Sequence, residues 1–340
     1  MALTASGTIK YSEIIAEFGT PNSGGLGEYR LSENVGSLNN LPLDTGVPQS
    51  GQIKFSDFYS KKLNHVVDLY SIGNSTTRQN AKDRWSNGNV HIVGSTKTGK
   101  TQPPDTVEDR VIINVNATIA SAKGTQTHCA LRTGNWDTNT TLEIEIGTSG
   151  KLYGSGGDGG TGGNANETAG TDGGTGSSAL GIQYPCTVNN LGVIQSGYGG
   201  GGGGGGNTRT TGGGKKSGAT TNGSSGGGGG GGAGLPAGSA GGVSTPLSAG
   251  GGSAGSAGGA GSLSGQATGG AGGSEAAAGG DSSLVNNSAT KADDGGTASG
   301  AASPGTGGNN GYAIITNQGS APSVTGNSAT GRIITSTNPT

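Results

Sequence analysis

The apolar positions of this chain come in short bursts, and their spacing changes along its length. Leu142, Ile144 and Ile146 alternate with Thr141, Glu143 and Glu145. That is the period of a strand with one buried face. Val66–Tyr70, Val90–Val93, Val111–Ile119 and Cys129–Leu131 are further β-type runs. Together they predict a strand-rich region over 63–150, with Trp85 and Trp136 in its core. Strand character returns at Tyr312–Ile315 and Arg332–Thr335. Upstream, Ser6-Gly7-Thr8-Ile9-Lys10-Tyr11-Ser12-Glu13-Ile14 matches Ser50-Gly51-Gln52-Ile53-Lys54-Phe55-Ser56-Asp57-Phe58. Both copies read as an extended piece entering a helix. Ser12 and Ser56 are the expected N-caps, Glu13 and Asp57 face the positive helix end, and Gly19 stops the first helix. Ser32 is expected to cap a further short helix. Residues 1–62 hold too little apolar material for a robust free domain, so they are expected to fold against something else.

Between Gly150 and Gly311 the hydrophobic pattern disappears. Sixty of the chain's 78 glycines lie there, with pure runs at Gly199–Gly206 and Gly226–Gly232. The tract opens Gly154-Ser155-Gly156-Gly157-Asp158-Gly159-Gly160-Thr161-Gly162, with a side chain at every third position. A left-handed extended helix of the polyproline II type has three residues per turn and about 3.1 Å rise. It would align Ser155, Asp158 and Thr161 as an outward ridge and leave two bare faces to pack on similar helices. A flexible linker has the same composition, but distinct inserts such as Asn207–Thr211, Leu235–Ala240 and Asp281–Asp294 separate the pure runs. The tract is therefore expected to be an ordered lattice held by backbone hydrogen bonds, about 25 Å tall for an eight-residue run. Collagen does not fit, since the chain has 11 prolines and only brief strict triplets.

The fold expected is a small mixed N-terminal module (1–62), a β-rich shoulder domain (63–150), a glycine-rich lattice with loops (151–311) and C-terminal strands (312–340), with little α-helix. A net charge of −2 gives no field favouring nucleic acid or anionic lipid. No secretion signal is read at the start, and no apolar run reaches membrane-spanning length. Cys129 and Cys186 are expected to be free thiols.

Candidate chemistry is sparse. Gly94-Ser95-Thr96-Lys97-Thr98-Gly99-Lys100-Thr101 matches the phosphate-loop pattern G-x-x-x-x-G-K-[ST]. Gln102-Pro103-Pro104 follows at once, where a phosphate loop needs a helix. The segment is therefore expected to be a surface hairpin. His65, His91 and His128 lack metal spacing, and His128-Cys129 lacks a third, orienting group. No enzyme activity, metal or cofactor is expected.

The glycine tract with its inserts resembles the distal adhesins of T-even-like bacteriophage long tail fibres. Ser50–Phe58 looks like a short module at the start of many tailed-phage virion proteins. Ala130-Leu131-Arg132-Thr133-Gly134-Asn135-Trp136 and Thr141–Gly163 look like phage tail fibre sequence. The T-even adhesins carry no such N-terminal module and cap a separate trimeric fibre, so this chain departs from them at its start. The resemblance implies a polyglycine II sandwich whose loops bind a bacterial outer-membrane protein or surface glycan. It also implies a virion location with assembly in the host cytoplasm, other tail or baseplate proteins as partners, and a homotrimer as one assembly. The other reading is a virion structural protein without receptor contact.

Glycine helices offer almost only backbone, so specificity is expected from the inserts. The receptor-binding candidates are Asn207, Thr208, Arg209, Thr210, Thr211, Lys215, Lys216, Leu235, Pro236, Leu247, Leu284 and Val285. Arg209 brings a planar fork of donors for carboxylate or phosphate. The virion-docking candidates are Ile9, Tyr11, Ile53 and Phe55.

Overall fold

The computed structural model describes residues 3–75, 77–102, 110–163, 169–205, 207–211, 220–224, 228–241, 303 and 305–340. Helix is scarce, with three short α-helices among these residues. The strands described between Asn64 and Ile334 form three larger sheets, of five, six and three strands, and one separate two-stranded sheet. Nearly every pairing in them is parallel; the exception is Val90–Ile92 against Asn64–Leu69. Reading the sheets in chain order gives a solenoid. Each rung visits the six-stranded sheet, then the three-stranded one, then the five-stranded one.

The second rung is Arg110–Val115, Thr118–Ala120 and Cys129–Arg132. The third is Thr141–Ile146, Lys151–Tyr153 and Ser178–Ile182. The fourth is Cys186–Asn190, Val193–Gln195 and Tyr312–Thr316. Asn64–Leu69 and Gln79–Asn80 open the stack; Ser323–Gly326 and Arg332–Ile334 close it. Single bridges from Ser75 and Thr330 stand in for the middle strand at the two ends.

Alternation turns one side chain set inward on every rung. Ile119, Leu152 and Ile194 stack in register on one sheet, and Leu131, Leu180 and Ile314 on another. All six are fully buried, each worth about 1.5–3 kcal/mol relative to exposure. Leu142, Ile144 and Ile146 point into this core as their alternation predicts, together with Trp85 and Trp136. The two indoles meet edge to face at 5.5 Å. Val111–Ile119 is not one strand: it breaks after Val115 and turns into the next sheet.

Residues 3–63 cover the outer face of the opening rungs. Ile14, Phe18, Tyr29, Val35, Leu43, Phe58 and Leu63 form a second apolar cluster with Val66, Ile92, Val93 and Ile112 of the sheet. The internal repeat is real in structure but capped differently from expectation. The helices Tyr11–Phe18 and Phe55–Phe58 (the latter 3-10) start two residues early, capped at Lys10 and Lys54 and not at Ser12 and Ser56. Glu13 and Asp57 then occupy the third helical position, where each carboxylate accepts the preceding lysine's backbone N–H at 2.8 and 2.7 Å. Ser32 does not cap a helix; it begins the strand Ser32–Val35, paired antiparallel with Leu38–Pro42.

The phosphate-loop lookalike is not a hairpin. Ser95–Thr98 is one helical turn between Gly94 and Gly99, both left-handed at φ 72° and 66°. Thr98 is buried, and its carbonyl accepts the Thr20 N–H at 2.9 Å. This loop is spent on holding residues 3–63 in place.

The glycine tract contains four strands, Lys151–Tyr153, Ser178–Ile182, Cys186–Asn190 and Val193–Gln195, that composition does not separate from it. They belong to the solenoid. The rest leaves the solenoid at one corner, between the three-stranded and five-stranded sheets of rungs three and four. There, six extended segments without helix or strand assignment run side by side: 154–163, 170–177, 197–205, 228–233, 237–241 and 305–311.

Their backbone hydrogen bonds recur every third residue. The N–H groups of Gly154, Gly157, Gly160 and Gly163 donate to the carbonyls of Gln195, Tyr198, Gly201 and Gly204, so these two segments are parallel. Those of Thr171, Gly174 and Ser177 donate to Thr161, Asp158 and Ser155, so that pair is antiparallel. The remaining bonds place 154–163 beside 197–205 as a middle row. Segments 170–177 and 305–311 bond to it on one side, 228–233 and 237–241 on the other.

The bare glycine faces have a steric cause. A Cβ on Gly156 or Gly159 would overlap the carbonyl oxygen of Gly232 or Gly229, and one on Gly157 or Gly160 would overlap that of Gly174 or Thr171. The third position of the turn has room, and there Asp158 and Thr161 stand exposed. Ser155 departs from the outward ridge. It is fully buried and shares a 2.9 Å hydroxyl–hydroxyl hydrogen bond with Ser177.

Candidate functional site

The topology sorts the turns of the glycine bundle into two ends. The turn at 234–236 lies at the solenoid end: Leu235 N–H donates to Gly154 O at 3.0 Å, and Gly156 N–H to Pro236 O at 2.9 Å. Residues 163, 205 and 241, where the outward-running segments end, and 170, 228 and 305, where the returning ones begin, lie at the opposite end. Contacts near that end are Gly163 N–H to Gly204 O at 2.7 Å and Gly170 N–H to Ser303 O at 3.1 Å. The third segment continues outward as Asn207–Thr211, which pairs antiparallel with Thr220–Ser224. Arg209 sits in the middle of this hairpin, opposite Asn222.

The sequence candidates are therefore divided. Asn207, Thr208, Arg209, Thr210 and Thr211 lie together on the far-end hairpin. Leu235 and Pro236 lie at the other end and do not join them. Lys215, Lys216, Leu247, Leu284 and Val285 fall outside the described residues. Of the docking candidates, Ile9 is buried in the cluster of residues 3–63, and Tyr11 and Ile53 pack partly against it. Phe55 presents its ring outward at 42% exposure.

Side chains that sequence reading missed clamp the bundle. Glycine segments have nothing of their own to fix their relative height, and a slip of three residues restores the same backbone pattern. Asp158 Oδ1 accepts from the Ser239 N–H and from Lys123 Nζ, both at 2.6 Å. Asp172 Oδ1 accepts from Thr306 N–H at 2.7 Å and its hydroxyl at 2.8 Å. Asn310 Oδ1 accepts from Gly199 N–H at 3.0 Å. The signal available in the sequence is a short carboxylate or amide at the open position of a glycine triplet.

Burial pushes the Asp158 carboxyl up, but the Lys123 and Ser239 hydrogen bonds outweigh it and hold the group below the ordinary carboxylate range. The Thr306 hydrogen bonds do the same for Asp172. A carboxylate with a lowered folded-state pKa adds stability above its unfolded value and loses it as pH falls through the folded one. His65 behaves as a buried base. Desolvation lowers it from 6.5 to about 4, so its neutral form is complete above 6.5 and stability is lost between 6.5 and 4. The protein is therefore expected to lose stability progressively on acidification from pH 6.5, the Asp158 and Asp172 contributions going last. Thermal melts across pH check this: His65→Leu should flatten the slope between 6.5 and 4, and Asp158→Asn the slope below it.

Burial holds the Cys129 and Cys186 thiols protonated, pushed up to about 12. Such thiols are poor nucleophiles. His91 pairs with Glu33 at 2.9 Å, and no His/Cys/Asp/Glu group suited to a metal occurs among the described residues. The geometry is that of a β-solenoid stem carrying a backbone-bonded bundle, with the hairpin strands Asn207–Thr211 and Thr220–Ser224 beyond its far end.

A family described as phage tail fibre adhesin Gp38 matches residues 86–334. The chain belongs to this family of phage tail fibre adhesins, and it is a component of the phage particle. Among curated proteins none matches significantly. One solved structure that it is similar to is the gp37-gp38 adhesin tip complex of the bacteriophage S16 long tail fiber. The two are 19% identical over 98% of this chain and 99% of that one, with a TM-score of 0.37.

Proposed function

We propose that this chain is the host-binding tip of a tail fibre, and that its glycine bundle is a polyglycine II sandwich presenting receptor-binding loops. The observation that supports the reading is convergence: among the described residues, all three outward-running segments end, and all three returning ones begin, at the end away from the solenoid. Within the bundle, backbone groups are committed to neighbouring segments and carry no chemical identity, so discrimination falls to the far-end side chains. Arg209 supplies a fork for the carboxylate or phosphate of a surface glycan, and the apolar members of the far-end inserts supply contact to an outer-membrane protein. Residues 1–62, through Phe55 foremost, dock the chain to the rest of the fibre. The role is binding, without a chemical step.

Exchanging Asn207–Ser224 for a Gly/Ser hairpin of equal length tests this. Adsorption of correctly assembled particles to host cells should fall by about tenfold or more. Replacing Leu235 and Pro236, at the other end, should leave adsorption unchanged. Full adsorption after exchange of every far-end insert would mean that the chain is structural only.

A further inference from the structure

On the outer flank of the solenoid, at its opening rungs, lies a polar pocket of about 410 Å3. Its floor follows from strand pairing. Gln79–Asn80 is a two-residue edge strand, parallel to Cys129–Arg132, with Gln79 opposite Leu131 and Asn80 opposite Arg132. Leu131 points into the core. Alternation therefore sends Arg132, the next residue, to the outer face beside Asn80. Arg78 joins it from the exposed rim, so two guanidinium groups line one pocket.

Among the described residues neither guanidinium makes a hydrogen bond or ion pair that spends it. Ion pairs among those residues include His91–Glu33, Arg110 with Asp44 and Glu143, and Lys123–Asp158. Arg78 and Arg132 take part in none of them. The acidic group facing the pocket is Asp83, on the rim. Asn80 Oδ1 is already engaged by the Lys82 N–H at 3.1 Å, which leaves its NH2 as a donor. Gln79 also lines the pocket, with one of its two amide hydrogens donated to Thr77 O at 3.0 Å. Two planar cationic forks with amide donors between them suit an oxyanion, and a guanidinium binds one through two parallel hydrogen bonds. The volume exceeds what a bare anion fills and lies in the range of small-molecule sites, about 300–1,000 Å3.

We propose that this pocket binds an oxyanion carried on a sugar, the phosphate or carboxylate of a charged saccharide. Arg132 and Arg78 hold the anion, Gln79 and Asn80 face the ring hydroxyls, and Asp83 opposes a second negative charge. The site is distant in the chain topology from the far-end loops, so it does not depend on them.

Titration calorimetry on the full chain tests it directly, with glucose 6-phosphate, glucuronate, glucose and inorganic phosphate as probes. At least one charged sugar should bind saturably in the millimolar range or tighter, and glucose should not. Which of the two binds assigns the anion. Arg132→Gln and Arg78→Gln should each weaken binding by about tenfold or more. Asp83→Asn should strengthen it, and added salt should weaken it. Unchanged melting curves keep the variants comparable. Saturation by neither charged sugar overturns the proposal, as does binding that both arginine variants retain. Inorganic phosphate binding as tightly as either sugar means a free-anion site and also overturns it. Failure here leaves the far-end receptor reading intact, and unchanged adsorption after loop exchange leaves this pocket intact.

Discussion

Gly229→Val is expected to abolish folding of the glycine bundle. A Cβ at Gly229 would overlap the Gly201 carbonyl oxygen and lie 2.8 Å from that of Gly202. The Gly229 N–H also donates to Gly160 O at 2.8 Å, so moving the segment away breaks the bonds to the middle row. No rotamer relieves a clash between Cβ and backbone. The cost should exceed about 4 kcal/mol, the range reserved for such overpacking. Thr161→Ala, at the open position of its turn, should change stability by less than about 0.5 kcal/mol. Circular-dichroism melts of both variants check the pair. A Gly229→Val melt superimposable on the parent would mean that segment 228–233 is not packed as described.

Removing residues 1–62 is expected to make the chain insoluble. Composition suggests a plug that could be cut away to leave a soluble fragment; the packing argues otherwise. The cut bares Val66, Ile92, Val93 and Ile112, which the second apolar cluster now covers. A contiguous apolar sheet face of this kind drives association. Soluble yield and light scattering measure the outcome, and a monomeric soluble fragment would refute it. Phe55→Ser is the gentler probe of docking, because that ring is exposed. It should spare folding and reduce incorporation into particles.

The chain's local rules were legible in its sequence, its topology much less so. Leu142, Ile144 and Ile146 announce a half-buried strand by alternation alone. The glycine triplets announce crowding, and the structure adds a quantitative reading. Segment 197–205 is bonded on several sides and is pure glycine after Tyr198. Segment 154–163 has one open side and carries one side chain per turn. Segments 170–177 and 305–311 lie outside the middle row and keep glycine at every third position, 170, 173 and 176 and 305, 308 and 311, with Gly174 and Gly307 in addition. The solenoid was hidden because its rungs have no fixed period. Strands of its six-stranded sheet begin at 64, 110, 141, 186 and 323. Ser178–Ile182 and Tyr312–Thr316 are neighbours in space although the chain between them makes most of the bundle. The split of the candidate residues between two ends was equally hidden, since it depends on which way each segment runs.

The three-residue repeat of the backbone bonds also sets which insertions and deletions this chain can survive. One residue gained or lost inside a segment throws every following side chain onto a closed face, so changes there must come in threes. At the far-end connections no phase has to be kept. Doubling the length of such a connection costs only about 0.6 kcal/mol in closure entropy. Length variation during evolution should therefore collect at the end away from the solenoid and be filtered out of the rods that lead to it.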